Sequence, residues 1–508
     1  MAGLTLSGLA MKLAPLAALS LGLAGVLPAT DQLNVVFILA DDLGWGEVGV
    51  YGQKKIPTPN LDALAAQGVR FTQHYSGAPV CAPSRCVLMT GKHLGHAEVR
   101  GNRAMEKVEP DKYFEGQHPL SEGAFTLAMA FQKAGYRTGA MGKWGLGPVG
   151  SSGDPNKKGI EYFFGYNCQG VAHSFYPPYL WRNDQQIPIN AKPVPGRAQQ
   201  PKGEVRMEDW FGETYAPKLM IAEAEQFIDR HKSEPFFLYL PFIEPHVSMH
   251  PPKESVEKFP AEWDDQPYRG DAGYLPHPRP RAGYAAMISD LDSYVGRVLA
   301  RLDQHGLKDK TLVIFSSDNG ATHPRPPSAF HVGGADGKFF ESVRDLRGWK
   351  GSVYEGGLRV PTIVRLPGKI PAGKVSDTPG YFADWFPTLC EAADLPTPSG
   401  LDGESLWPVL TTGKDRMERS KPMLWVFPEY GGQVAVRLGS MKLVRQNLKT
   451  PKPGPWEVYD LAKDRGETTD LSGQHPELIR QAEELLRREV EANAIFPVPI
   501  PGVTTAAH

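Results

Sequence analysis

Two stretches of the chain are continuously apolar and rich in β-branched residues, and each ends abruptly in short polar side chains. The run 34–40 is followed by Asp41-Asp42, and the run 311–317 is followed by Asp318-Asn319. Uninterrupted apolar runs of this length predict strands that are buried on both faces of a parallel sheet. Because ligands bind at the carboxyl ends of such strands, we expect the two polar pairs to meet.

Segments with helical periodicity lie between these strands, at 61–68, 125–135 and 284–302. In the last of them, apolar residues recur every three or four positions and form one stripe, which is typical of a helix packed against a core. Strands that alternate with such helices predict an α/β fold, with a large, mainly parallel sheet that helices cover on both faces.

The pattern changes after position 414, where the apolar runs become short and alternate with polar residues. This alternation predicts a small antiparallel sheet, and the segment 476–493 predicts a helix that starts with proline in its first turn. The chain is therefore divided into a catalytic domain at 31–414, a C-terminal subdomain at 415–495 and a tail at 496–508.

The N-terminus resembles a targeting segment, because Lys12 precedes an apolar stretch at 13–27 that ends in small residues. Residues 1–29 are therefore predicted to be a signal peptide, which indicates a secreted or periplasmic protein. An uncleaved membrane anchor is the alternative. The stretch is shorter than the roughly 20 residues that a spanning helix needs, and no stable membrane span is expected.

Composition is that of a globular enzyme, with 508 residues, of which 41% are hydrophobic, and a net charge of −2. This length exceeds the usual single-domain size and allows a sizeable core. The near-neutral charge gives no electrostatic basis for binding nucleic acid. There are four cysteines, so conversion of one of them would leave at most one intramolecular disulfide.

One of these cysteines opens the most informative motif, Cys81-Ala82-Pro83-Ser84-Arg85, which a Thr-Gly pair follows at 90–91. A lone cysteine in a Pro-containing turn is more often buried and inert than reactive. The arginine comes four positions after the cysteine, which excludes a cysteine phosphatase loop. The whole string resembles the signature of the sulfatase family, an arylsulfatase-like branch of the alkaline phosphatase superfamily.

The resemblance implies that Cys81 is only a precursor. In sulfatases this cysteine is oxidised after translation to Cα-formylglycine, an aldehyde that works as its hydrate, so a formylglycine-generating or sulfatase-maturing enzyme is an implied partner. One hydroxyl of the hydrate takes the sulfuryl group from the ester. The other then loses its proton and expels sulfate, which regenerates the aldehyde.

Three further stretches resemble sulfatase motifs, so the likeness extends over positions 35 to 361. The stretch 135–144 carries Lys143, whose family equivalent contacts the formylglycine and the sulfate. The stretch 237–246 carries the leaving-group histidine, His246, and 348–361 carries Lys350, which would grip the sulfate. Taken alone, each lysine is better explained as a surface charge, and the histidine as one that is hydrogen-bonded after a strand. Arg85 and the two lysines would stabilise the charge that develops on sulfate.

The two polar pairs offer hard oxygen donors without histidine, which suit Ca²⁺ or Mg²⁺ rather than zinc. Taken singly, either pair is explained as well by a helix N-cap or a turn. The resemblance implies that Asp41, Asp42, Asp318 and Asn319 are metal ligands. A formylglycine oxygen at position 81 would complete the site, with Ca²⁺ expected and Mg²⁺ as the alternative.

The chain departs from the family pattern at Gly145, where many sulfatases have a histidine that supports the formylglycine hydroxyl. We hypothesise that His173 reaches in from the following loop to fill that place. His323, which follows the second polar pair, is a candidate for contact with the leaving group or the sugar. The aromatic stretch 176–181 could stack on sugar rings or pack against the body of the protein.

The sequence therefore predicts a secreted sulfatase that hydrolyses sulfate esters, preferably of sulfated carbohydrates, and that also has arylsulfatase activity. Two other functions stay open at this stage. A phosphodiesterase or phosphonate hydrolase of the same superfamily, dependent on a metal or on formylglycine, would explain the carboxylates and the sheet. A non-catalytic glycan-binding relative would explain the predicted export and the aromatic stretch.

Overall fold

The computed structural model describes residues 1, 3, 32–103 and 115–500. The predicted signal peptide, apart from residues 1 and 3, lies outside this range, as does the end of the predicted tail at 501–508. No helix in the described ranges combines the length and the apolar character needed to cross a membrane.

The strands are β1 Asn34–Ala40, β2 Val69–Phe71, β3 His74–Tyr75, β4 Arg137–Lys143, β5 Tyr162–Tyr166, β6 Tyr179–Arg182, β7 Gln185–Pro188, β8 Phe236–Pro241, β9 Thr311–Ser317, β10 Thr362–Arg365, β11 Lys374–Ser376, β12 Gly380–Tyr381, β13 Met423–Phe427, β14 Gln433–Leu438, β15 Met441–Arg445 and β16 Trp456–Asp460. The α-helices are α1 Pro59–Ala66, α2 Cys81–Thr90, α3 Leu127–Lys133, α4 Ala216–His231, α5 Lys253–Val256, α6 Pro280–Gln304, α7 Glu355–Leu358, α8 Trp385–Ala392, α9 Trp407–Thr412 and α10 Pro476–Glu489.

Ten strands form the main sheet in the order β11-β2-β10-β9-β1-β8-β4-β5-β6-β7. The five strands from β9 to β5 in this order run parallel, whereas β10 and β6, which border them, pair antiparallel. The predicted α/β class, with a mainly parallel sheet, is confirmed.

Strand β1 lies near the middle of the sheet, and all of its residues are buried. Val35, Phe37 and Leu39 belong to the hydrophobic cluster on one face of the sheet, and the intervening apolar residues belong to the cluster on the other. Alternation of side chains along a strand explains this division. Helices α2 and α8 contribute to the first cluster, whereas α4 and α6 contribute to the second, which confirms helices on both faces.

The C-terminal region folds as predicted into a four-stranded antiparallel sheet, β13 to β16, followed by α10. Helix α10 ends at Glu489 rather than at the predicted position 493, because Val490 has an extended backbone. The described part of the predicted tail, 496–500, packs onto the body with Phe496 2% exposed and with Val498 and Ile500 also buried. Alternate apolar side chains allow this extended segment to cover the core.

Candidate active site

The candidate catalytic side chains converge at the carboxyl edge of the parallel sheet, where β1 and β9 end side by side. The backbone N–H of Asp42 donates to Asp318 Oδ1 at 3.1 Å. The Asn319 amide nitrogen donates to Asp42 Oδ1 at 2.7 Å. Asp41, Asp42, Asp318 and Asn319 are all fully buried. The structure thus brings together the two polar pairs that the sequence predicted to meet.

Cys81 is the first residue of α2, and its sulfur contacts this carboxylate cluster. The Sγ atom lies 3.4 Å from Asp41 Oδ1 and 3.9 Å from Asp42 Oδ1. Burial raises the pKa of the Cys81 thiol, and the nearby charge of Asp41 raises it further. A thiol in this setting stays protonated. Unmodified Cys81 is therefore a poor nucleophile.

Two lysines, one buried and one 12% exposed, approach the same cluster from different elements. Lys143, the last residue of β4, places Nζ 2.6 Å from Asp41 Oδ2. Lys350 places Nζ 2.8 Å from Asp42 Oδ2 and 3.4 Å from Cys81 Sγ. Two ammonium groups therefore lie at the point where an anionic ligand of residue 81 would bind.

Arg85 lies one turn after Cys81 on α2, and its side chain is completely buried. Its guanidinium donates to Asp318 Oδ2 at 2.8 and 3.1 Å, to Asp41 Oδ2 at 3.2 Å and to the backbone carbonyl of Lys143. Burial alone would raise the pKa of Asp41, but Lys143, followed by His246 and Arg85, holds it well below its ordinary value. Arg85 therefore fixes both carboxylates and favours their ionised forms, but burial, followed by the charge of Asp41, still raises the pKa of Asp318 to about 6.

The donor set fits a hard divalent cation. Asn319 Oδ1 is buried and accepts no hydrogen bond from the described residues, whereas the amide nitrogen of the same side chain is fully engaged. Ligand atoms of Asp41, Asp42, Cys81 and His246 also lie within 4.8 Å of one another. A buried oxygen without a partner beside several carboxylate oxygens is the arrangement that Ca²⁺ or Mg²⁺ satisfies.

His246 follows β8 and borders the carboxylates, with Nε2 3.6 Å from Asp42 Oδ2. Its Nδ1 hydrogen-bonds the carbonyl of Val247, which fixes the ring. Burial, and then the charge of Lys350, lowers the pKa of His246 well below its ordinary value. The imidazole is therefore neutral in the absence of an anionic ligand.

His173 lies in a short 3₁₀ turn, Val171–His173, and its ring is parallel to that of His246 at a centroid distance of 5.3 Å. The structure thus brings His173 into the site. Burial lowers its pKa well below the ordinary value. Its role in supporting residue 81 stays a prediction.

The position beside Gly145 is occupied by another side chain, which sequence reasoning missed. A Cβ atom built on Gly145 would lie 2.9 Å from Gln169 Nε2 and 3.7 Å from Arg85 Cδ. Gln169 Nε2 is buried and has no hydrogen-bond partner within the described part of the chain. An amide therefore fills the space next to Gly145. The only sequence signal for Gln169 is its position after β5. Because no motif marks that loop, sequence reasoning did not identify this residue.

His323 lies at the rim, where its ring meets the edge of Tyr430 at 5.9 Å. Burial and the charge of Lys350 lower its pKa, and its Nδ1 atom is buried without a partner among the described residues. A second rim tyrosine, Tyr274, contacts the rings of both His173 and His246. Neither tyrosine was predicted, because a single aromatic residue in a Gly-rich loop has no periodic signal.

The aromatic stretch 176–181 belongs instead to the body of the protein. Tyr176 is 4% exposed and contacts Phe211 and Tyr215. Trp181 donates its indole N–H to Glu115 at 2.7 Å. Of the two explanations that the sequence left open for this stretch, packing is the one that the structure favours.

Comparison with known proteins agrees with this geometry. A family model described as Sulfatase matches residues 33–395, and one described as N-sulphoglucosamine sulphohydrolase, C-terminal, matches 348–492. The chain is 30% identical to an uncharacterized sulfatase of Schizosaccharomyces pombe, over 88% of this chain and 91% of that protein. It is 32% identical to N-acetylgalactosamine-6-sulfatase of Canis lupus familiaris, over 78% of this chain and 69% of that protein.

Two solved structures are also similar. Ps i-CgsB in complex with k-i-k-neocarrahexaose has a TM-score of 0.72 and 25% identity, with 90% of this chain and 93% of that chain covered. The phosphonate monoester hydrolase of Agrobacterium radiobacter has a TM-score of 0.61 and 22% identity, with 90% and 96% covered. The second likeness concerns the fold alone.

Proposed function

The chain belongs to the sulfatase family and is a sulfuric ester hydrolase, and from this premise we propose that it hydrolyses sulfate esters of carbohydrates through formylglycine at position 81 and a bound Ca²⁺ ion. The observation that carries the proposal is the convergence of Cys81, three carboxylates, one side-chain amide and two lysines at the carboxyl edge of the sheet. Mg²⁺ is the alternative ion.

The state of Cys81 supports its conversion. Burial, and then the charge of Asp41, raises the pKa of the thiol and keeps it protonated, so an unmodified sulfur would be a poor nucleophile. An aldehyde hydrate at the same position supplies one hydroxyl for attack on sulfur and a second that can release the sulfate. A partner enzyme must carry out the oxidation, because a thiol cannot oxidise itself to an aldehyde.

Charge balance favours an anionic substrate. In the described site the three carboxylates are matched by Lys143, Lys350 and Arg85. A divalent cation held by Asp41, Asp42, Asp318 and Asn319 would add two positive charges and would polarise the oxygen at position 81. This excess of positive charge complements a sulfate ester.

The two lysines would bind the sulfate oxygens as negative charge develops on them. Lys350 contacts Cys81 directly, and Lys143 contacts Asp41 beside it. Arg85 acts on the carboxylates rather than on sulfate, since its guanidinium is already hydrogen-bonded. His246 would donate a proton from Nε2 to the departing alcohol.

The mass of the peptide that contains position 81 tests the proposal most directly. Conversion of the thiol to the aldehyde replaces sulfur with oxygen and removes two hydrogens, so a peptide with an intact thiol in active protein would refute it. Turnover of 4-nitrophenyl sulfate, set against 4-nitrophenyl phosphate and a phosphonate monoester, separates a sulfatase from a phosphonate hydrolase. Addition of Ca²⁺ or Mg²⁺ to chelated protein identifies the preferred ion.

Export through the segment 1–29 is part of the same proposal. Expression of the full chain in a bacterial host, followed by N-terminal sequencing of the periplasmic or secreted protein, would show cleavage near position 29. Retention of the intact N-terminus in the membrane fraction would instead indicate an uncleaved anchor.

A further inference from the structure

The rim of the site carries an arginine, Arg197. Arg197 is exposed, and it forms neither an ion pair nor a hydrogen bond with any residue in 32–103 or 115–500. Its guanidinium instead lies over the ring of Tyr274, with Cζ 5.1 Å from the centroid. Stacking on an aromatic face orients the guanidinium and leaves its N–H groups free for an anion.

The segment that carries Arg197 is fixed by hydrogen bonds on both sides of it. Ala198 N–H donates to the carbonyl of Tyr274 at 3.0 Å, and Ser248 Oγ donates to the carbonyl of Gly196 at 3.2 Å. A guanidinium on a tethered backbone loses less freedom on binding than one on a free loop. The Arg197 side chain therefore extends from a fixed backbone, unlike a charged side chain on a mobile surface loop.

Tyr274 connects this arginine to the catalytic groups. Its ring packs edge-on against His173 at 5.1 Å and against His246 at 5.7 Å. Burial raises the pKa of Tyr274, and the charges of Lys350 and Arg197 oppose the rise, so both cations lie close enough to act on its phenol. Arg197 thus lies on the outer side of a ring whose edge borders the proton donor.

The backbone at Tyr274 indicates that this placement has a cost. Tyr274 has a φ of 66°, a left-handed conformation that a bulky residue rarely adopts. The other rim tyrosine, Tyr430, has a φ of 51° and is 55% exposed beside His323. Strained aromatic residues at the rim of a catalytic site are typical of groups held in place for a ligand.

We infer that Arg197, supported by Tyr274, is a subsite for a second anionic group of the substrate, either a carboxylate or a second sulfate close to the sulfate that is hydrolysed. This inference rests on the proposed function and names the substrate class more closely. Tyr430 would stack on the sugar whatever its charge. Lys143 and Lys350 serve the reacting sulfate, and Arg197 selects what the sugar carries beside it.

Kinetics with four substrates test the inference. They are 4-nitrophenyl sulfate, a monosulfated neutral disaccharide, a monosulfated disaccharide with one carboxylate, and a disulfated neutral disaccharide. Arg197→Ala is expected to raise KM about tenfold for either dianionic disaccharide, equivalent to about 1.4 kcal/mol. It should leave kcat and the KM for the two monoanionic substrates within about twofold, and Arg197→Lys should restore part of the loss. The ratio of the carboxylate effect to the second-sulfate effect identifies the preferred anion.

Two variants serve as controls. Arg480→Ala removes an exposed arginine from α10 and should change no KM, whereas Tyr430→Ala should raise KM for all three disaccharides alike. If Arg197→Ala raised the KM for the monosulfated neutral disaccharide as much as for the dianionic disaccharides, the subsite would be refuted. An unchanged KM for both dianionic disaccharides would also refute it. In either case, the sulfatase proposal would still hold if the wild-type protein hydrolysed 4-nitrophenyl sulfate. Wild-type protein with formylglycine and Ca²⁺ that hydrolyses no sulfate ester at all would refute both.

Discussion

Replacement of Lys442 by methionine should destabilise the protein strongly, because this lysine is the centre of a buried ionic network. Its Nζ lies 2.9 Å from Glu355 Oε1 and 2.9 Å from Glu467 Oε1, and all three side chains are fully buried or nearly so. Glu467 also accepts the backbone N–H of Glu355 at 2.7 Å. The network joins the C-terminal sheet to α7, five residues after Lys350.

The magnitude follows from the charges that remain. Removal of one partner from a buried ion pair typically costs ~3 to 5 kcal/mol. In the variant, Glu355 keeps Arg359 at 2.8 Å, whereas Glu467 loses its cation. Burial and then, against the pull of Lys442, the charge of Glu355 already raise the pKa of Glu467 to about 7. Without the lysine, Glu467 must stay protonated to higher pH.

The loss of stability in the variant should therefore increase as the pH rises. A carboxyl group with a raised pKa in the folded protein binds a proton that the unfolded chain has already released, so stability falls as pH rises. In the wild type this fall ends near pH 7. In the variant it continues at about 1.4 kcal/mol per pH unit. We therefore expect a loss of ~3 kcal/mol near pH 6.5 and about 4 kcal/mol at pH 8.

Denaturant unfolding followed by tryptophan fluorescence at several pH values measures this loss. Lys463→Met is the matched control, because that lysine is 85% exposed and its ion pair with Asp460 spans 3.3 Å; a change within about 0.5 kcal/mol is expected. A loss below about 1 kcal/mol for Lys442→Met, or one that does not grow between pH 6.5 and pH 8, would refute the reasoning.

Four shorter predictions concern the site and the core. Chelation with EDTA should abolish activity and lower Tm, and Ca²⁺ should restore both; full activity in chelated protein would contradict the metal site. His246→Gln should lower kcat ~10² to 10⁴-fold for carbohydrate sulfates but much less for 4-nitrophenyl sulfate, whose leaving group needs no proton, and equal losses would argue against proton donation. Cys81→Ser should be inactive or should retain one covalent sulfate, as intact-protein mass would show, and normal turnover would remove the need for the aldehyde. Burial lowers the pKa of His74 to about 3. As the pH falls from 6.5 to 3, the unfolded chain therefore binds one more proton at this position than the folded protein does, and the free energy of unfolding decreases by about 1.4 kcal/mol per pH unit. His74→Phe should remove this slope in acid titrations of unfolding, and an unchanged slope would show that another group causes it.

The sequence was sufficient for features that local pattern decides. The apolar runs of β1 and β9 identified buried parallel strands, because a strand covered on both faces is apolar along most of its length, with polar residues only near its ends. The polar pairs that follow them had to lie at the carboxyl edge, since parallel strands end there together. The short alternating runs after position 414 identified an antiparallel sheet in the same way.

Tertiary structure alone decided which side chains reach one another across large separations in the chain. Arg85 binds carboxylates of both strand ends, Gln169 fills the space beside Gly145, and Arg197 lies on Tyr274 at the rim. Gln169 and Arg197 lie in loops that carry no hydrophobic period, and Arg85, which lies on α2, binds partners from distant strand ends, so nothing in the local pattern encodes these contacts. Strand order and loop packing fix these distances, and they are consequences of the whole fold burying its apolar surface.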